Sequence, residues 1–214
     1  MRQIRKLPEP RSLIEHRATP GSTYDGYRDK QTLREQLVRE QRALCCYCLC
    51  RIRPGEAGSV SPMKIAHWRS QGLHTDEDLN YSNLLGACKG NEGRQPHQQH
   101  CDTRQKDRDI KFNPANPDHR IDQRVKYLED GTIESDDKEF NEQIENVLNL
   151  NARFLQQRRR ETLQLFFELL GTEKRKRPAW ERLLAEQNGD SHDGELEPFC
   201  QIVVCWLRKR LARA

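Results

Sequence analysis

The chain has 214 residues, of which 34% are apolar and 33% charged, with a formal net charge of +4. A core that thin for its length favours a metal staple or a partner subunit as added support, and the mild positive charge admits a nucleic-acid partner without requiring one. No apolar run resembles a signal peptide or a membrane span. Eight cysteines in such a chain read as metal ligands or reactive groups in a reducing cytoplasm rather than as disulfides.

Residues 1–26 read as an extended arm: Pro8, Pro10, Pro20 and Gly21 interrupt any helix, and Leu7, Leu13 and Ile14 are scattered anchors. From Asp29 to Leu44 the apolar period becomes helical, through Leu33, Leu37 and Leu44. A cysteine knuckle, Cys45-Cys46-Tyr47-Cys48, follows directly. Residues 51–63 carry two prolines and two glycines and read as a turn or short hairpin. Met63–Trp68 is predicted as a short strand, 69–80 as a loop, Ser82–Ala87 as the start of a helical turn, and 90–99 as a loop between two cysteines. A helix is expected to start at Asp102.

Asp130-Gly131, between short apolar segments from Tyr127 to Glu134, signals a hairpin. Helical periodicity returns from Phe140 to Leu170, as one helix or as two with a break near 149–151, and Gly171 is a fitting stop. Lys174–Pro178 reads as a basic linker, Ala179–Glu186 as a short helix, and Pro198–Arg213 as a last amphipathic helix. The division expected is an arm (1–26), a core (27–137) and a helical C-terminal region (138–214).

Cys45 and Cys48, two residues apart, form half of a zinc site, because zinc prefers four soft ligands in a tetrahedron. Cys88 and Cys101, separated by a twelve-residue loop, are the second pair, and His97 or His100 is an alternative for one ligand. Cys200 and Cys205 on a helix face, and Cys46 or Cys50, read as buried apolar residues or free thiols. A small phosphodiester-cutting site needs a base, a hard cation and a brace for the base. His67 is the candidate base and Asn83 the candidate brace. Asp102 is the candidate oxygen ligand for a catalytic Mg²⁺ or Mn²⁺. Taken singly, each has a bland reading: a structural histidine, a helix cap and a solvated carboxylate.

The set Cys45-x-x-Cys48, Ile65-x-His67, Asn83-Leu84-Leu85, Cys88 and Cys101-Asp102 resembles an HNH endonuclease with a ββα-metal core and a four-cysteine zinc site. It is most similar to the PtuB-type HNH proteins of retron and Septu anti-phage systems. The cues are Cys88-x-Gly90-Asn91, His100-Cys101-Asp102, Asn113-Pro114, the hairpin from Tyr127 to Ile133, and Ile4-Arg5-Lys6 with Glu9-Pro10.

The resemblance, strongest over residues 40–115, implies an α+β fold: a ββα-metal core with an extended N-terminal arm and a mainly helical C-terminal region. It implies hydrolysis of a nucleic-acid phosphodiester, with DNA against RNA left open. It also implies an ABC-type ATPase partner of the PtuA kind, and a retron reverse transcriptase with its RNA and DNA. In that pattern His67 activates water, Asn83 braces the loop and Asp102 binds the catalytic metal. Two positions depart from it. Ala66 stands where an acidic metal ligand is common, so the metal would rest on Asp102, water and substrate oxygens, or on another residue such as Asp107 or His100. Gln105 stands where a lysine is usual, with Lys106 next to it. The competing expectations are a zinc-stapled nucleic-acid-binding module without catalysis and a pure interaction subunit.

Overall fold

The computed structural model describes residues 1–172 and 175–213. The N-terminal segment is not extended throughout. Residues 11–17 form a short helix, α1 (Arg11–Arg17). Pro10 sits at its cap with φ −57°, a value proline already holds, and Leu13 is fully buried below it. The prolines that argued against a helix therefore bound one. Helix α2 (Lys30–Glu40) begins where Asp29 accepts a hydrogen bond from the Thr32 amide, and it buries Leu33 and Leu37. It stops at Glu40, because Arg42 and Ala43 take positive φ to enter the knuckle.

The centre of the fold is a two-stranded antiparallel sheet. Strand β1 (Met63–His67) pairs with β2 (Leu84–Cys88), with Ile65 opposite Gly86 and His67 opposite Leu84. The helical turn expected from Ser82 is confined to a single 3-10 turn at Tyr81–Asn83, after which the chain extends. Pairing with β1 and burial of every β2 residue decide the conformation of this short apolar run. Helix α3 (Cys101–Gln105) follows and packs against both strands, which makes a strand–strand–helix unit.

The sheet separates two apolar clusters. On one face Ile65 and Leu84 meet Leu33 and Leu37 of α2, with Tyr24, Tyr27, Leu13, Leu79 and Tyr81. On the other, Ala66, Leu85 and Ala87 join the main core, which reaches Cys101 and Ile110 and extends to the C-terminal helices.

Short helix α4 (Ile121–Arg124) leads into a hairpin of β3 (Lys126–Tyr127) and β4 (Ile133–Glu134), turning at Asp130-Gly131 as expected. Gly131 has φ +88°, and a β-carbon there would lie 2.1 Å from the Gln156 carbonyl oxygen, so no other residue fits. Helix α5 (Lys138–Glu142) runs into a π-helical turn at residues 143–147. After a break at 149–151 comes α6 (Arg153–Leu170), stopped at Gly171. The break was legible; the π turn was not.

Arg159 of α6 is fully buried and donates to the carbonyls of Gly131 and Leu150 at 2.5 and 2.8 Å, tying the hairpin to the helix. Helix α7 (Arg177–Asn188) opens with a proline in its first turn, inside the span read as linker; Lys174 of that span lies outside the described residues. Helix α8 (Gln201–Ala212) buries Ile202, Val203 and Leu207. Among the described residues no helix is long and apolar enough to cross a membrane.

Candidate metal centre and adjoining histidine site

The knuckle is a tight reversal. The Cys45 amide donates to the Cys50 carbonyl, and the Leu49 amide to the Cys45 carbonyl, with Leu49 at φ +67°. This geometry turns Cys45 and Cys48 to the same side. Cys88 arrives at the end of β2 and Cys101 at the start of α3. The four sulfurs lie within 4.8 Å of one another, all buried. Cys45 and Cys101 are 3.9 Å apart, and Cys48 and Cys88 are 3.7 Å apart.

A tetrahedron with metal–sulfur bonds of about 2.3 Å has edges of about 3.8 Å, so the spacing suits an ion such as zinc. It excludes disulfides, and all eight cysteines are free. Burial opposes charge on Cys45, yet hydrogen bonds from Cys101 and Cys46 hold its thiol well below the ordinary range. The Cys88 amide also donates to the Cys45 sulfur, at 3.4 Å.

The second predicted pair, Cys88 and Cys101, is brought together by the fold of its loop. Gly90 has φ +52°, and its carbonyl accepts the His100 amide at 3.1 Å. A β-carbon on Gly90 would stand 2.0 Å from the His100 carbonyl oxygen. The twelve-residue gap is thus pinched shut at its base, so Cys88 and Cys101 meet despite their separation. Neither histidine substitutes for a thiol. His97 is exposed, while buried His100 places Nδ1 3.1 Å from the Cys101 sulfur, as a neighbour that orients a ligand. Cys50 lies beside the cluster with its thiol pushed up, first by hydrogen bonding to Cys45. Cys46 and Cys200 are buried and Cys205 half-buried, in keeping with their apolar reading.

Comparison with family models and with curated proteins returns no match for the chain.

His67 ends β1 and is 9% exposed. Its Nε2 lies 3.0 Å from the Asp78 carbonyl oxygen. A carbonyl only accepts, so Nε2 carries the hydrogen and the neutral ring keeps its lone pair on Nδ1. Burial lowers the imidazole below its ordinary value, against the opposing pull of the Asp78 hydrogen bond. Tyr24 stands edge-on to the ring at 4.5 Å between centroids. Asp78 fixes Tyr24 in turn, accepting the Tyr24 amide on its carboxylate at 2.8 Å.

Asn83 is buried at the start of β2 and grips the loop that follows His67. Its Oδ1 accepts the Arg69 amide at 2.7 Å, and its Nδ2 donates to the carbonyls of Arg69 and Glu77 at 3.0 and 3.1 Å. The Trp68 amide donates to the Asn83 carbonyl at 3.0 Å. These bonds tie the Asn83 side chain to the main chain at Arg69 and Glu77. A cavity of about 230 Å³ adjoins it, lined among others by Trp68, Glu77 and Asn113.

Asp102 lies apart from His67. Side chains alternate along a strand, so Lys64 and Ala66 face α3, while Ile65 and His67 face α2. Asp102, in the first turn of α3, pairs with Lys64 at 3.5 Å, and Lys64 also meets Glu92 at 3.0 Å. Burial raises the Asp102 carboxyl, opposed by Lys64.

Among the described residues, the gathered group of three or more potential metal ligands is the cysteine set. The residues around Asp102 do not gather a ligand set for a catalytic divalent cation: Asp102 and Glu92 both face the Lys64 ammonium, and Ala66 offers no ligand. Gln105 is buried and donates to the carbonyls of Trp68 and Arg108, so it ties α3 to the end of β1 rather than facing a phosphate. Sequence reasoning missed Tyr24 and Asp78. No spacing motif announces them, since only the folded path brings them to His67.

Proposed function

We propose that the chain is an HNH-type endonuclease that hydrolyses nucleic-acid phosphodiester bonds in the cytoplasm. We further propose that it is the nuclease component of an anti-phage assembly with an ABC-type ATPase. The motif resemblance supports the assembly and the family. The observation that carries the catalytic reading is the state of His67: its Nε2–H is engaged by the Asp78 carbonyl, its Nδ1 is left with the lone pair, and Asn83 clamps the following loop. In this reading Nδ1 takes the proton from an attacking water. The four cysteines hold a zinc ion that shapes the knuckle and the start of α3 and takes no part in the chemistry.

The second reading is a zinc-stapled binding module, and the Lys64–Asp102 pair beside Ala66 favours it, because that pair leaves no preformed carboxylate set for Mg²⁺ or Mn²⁺. The deciding assay incubates DNA and tRNA with the protein in Mg²⁺ or Mn²⁺, with and without the ATPase, using wild type and His67→Ala. Cleavage by wild type reduced at least about 100-fold in the variant is expected for loss of a general base. Equal cutting by both would sink the base assignment. No cutting under any condition would favour the binding module.

A further inference from the structure

Beside His67, on the same side of the sheet, α2 presents two cations that pair with no carboxylate among the described residues. We propose that Lys30 and Arg34 form a seat for a nucleic-acid backbone phosphate next to His67.

Lys30 and Arg34 are one helical turn apart and therefore share a side of α2, next to the stripe of Leu33 and Leu37 that anchors the helix. Lys30 Nζ lies over the Tyr24 ring, 4.4 Å from its centroid, and Tyr24 in turn contacts His67. The path from ammonium to imidazole is thus two ring contacts long. The Arg34 charge also reaches the Tyr24 phenol, and the Lys30 charge opposes protonation of His67. Asp25 and Asp78 face the same ring and favour its protonation, so the surroundings carry both signs.

The half-buried lysines of this region are answered by carboxylates, Lys6 by Glu40 and Lys64 by Glu92 and Asp102, as is the exposed Arg69 by Glu77. Among the described residues no carboxylate pairs with Lys30 or Arg34, and the Arg34 Nε is buried without a hydrogen-bond partner. Two like charges at i and i+4 weaken a helix. An anion between them offsets that repulsion, and a phosphodiester suits the pair: the guanidinium fork binds two oxygens while the ammonium acts as a point charge.

This inference rests on the nuclease reading for the role of the adjacent His67, while the seat itself is a claim about binding. Its test uses the full chain loaded with zinc and fluorescein-labelled single-stranded DNA, duplex DNA and RNA, without added divalent cation. Anisotropy across a salt series is compared for wild type, Lys30→Gln, Arg34→Gln, the double variant and Arg34→Lys. Circular dichroism and zinc content check folding; if Arg34→Gln does not fold, Arg34→Lys and Lys30→Gln carry the comparison.

The double variant should bind at least about tenfold more weakly and lose about two units from the slope of log affinity against log salt. Arg34→Lys should keep the slope and bind with intermediate affinity. Wild-type binding that is indifferent to both cations, or no binding of any oligonucleotide, overturns the seat. Cation-dependent binding without cleavage in any metal supports the seat and removes the nuclease reading. Cleavage that depends on His67, with the double variant binding and cutting as wild type does, removes the seat and leaves the nuclease reading standing.

Discussion

Burial holds the His67 imidazole below its ordinary value of 6.5. The unfolded chain therefore takes up this proton first as pH falls. Stability contributed here is complete well above 6.5 and declines as pH drops through 6.5 toward the lower folded value, where the folded ring also charges. The same depression keeps the ring neutral, and competent as a base, below pH 6.5. Titration of the His67 ring protons by NMR should give a midpoint under 6.5, and the acid limb of any cleavage profile should fall with it. A midpoint above 6.5 would contradict the buried environment. His67 and Asn83 were legible as residues, because a histidine after an apolar pair and an asparagine before another stand out between cysteines. Their partners were not: Asp78 acts through a backbone carbonyl, and Arg69 and Glu77 are held through main-chain groups that carry no side-chain signature.

Elements show a second kind of gap between sequence and fold. The cysteine knuckle, β1, the Asp130-Gly131 hairpin and the long C-terminal helices follow from local patterns. Strand β2 does not, because five small and apolar residues suit a helix or a strand until a partner strand arrives. Helix α1 was hidden by the prolines that delimit it. The loop between Cys88 and Cys101 is wider than the usual gap between zinc ligands, and Gly90 pinches it shut at its base. Gly90→Ala should therefore act at a distance from its own position. The added methyl meets the His100 carbonyl at 2.0 Å, and the left-handed backbone at φ +52° adds strain. A loss of at least about 1–3 kcal/mol in urea unfolding is expected, together with lower zinc content per chain. A variant with unchanged zinc content and stability would show that the loop closes another way.

At the scale of the molecule, one apolar cluster runs from Ile4 through the knuckle to Leu207, so the metal centre and the C-terminal helices share a core. The thin composition favoured a metal staple or a partner subunit as added support. It did not anticipate that the residues read as a separate helical region would pack onto the cysteines, since long-range packing leaves no trace in composition. Structural zinc contributes about 10–16 kcal/mol of apparent binding energy in small metal domains, comparable with the whole stability of a typical protein, about 5–15 kcal/mol. Chelation should therefore abolish the near-ultraviolet circular dichroism of the core, and Zn²⁺ but not Mg²⁺ should restore it. An unchanged melting temperature after complete chelation would show that the thiols are structural without metal.

The outer edge of the knuckle is closed by late residues: the Leu196 amide donates to the Arg42 carbonyl at 3.1 Å, and the Phe199 amide to the Leu49 carbonyl at 3.0 Å. Arg42 itself reaches back to the carbonyls of Gly189 and His192. Ribosomes deliver a chain from its N-terminus, so a nascent protein extruded as far as Asn188 holds all four thiols while the Arg42 and Leu49 carbonyls remain open to water. All four cysteines are therefore made before Leu196 and Phe199, the residues that close the edge.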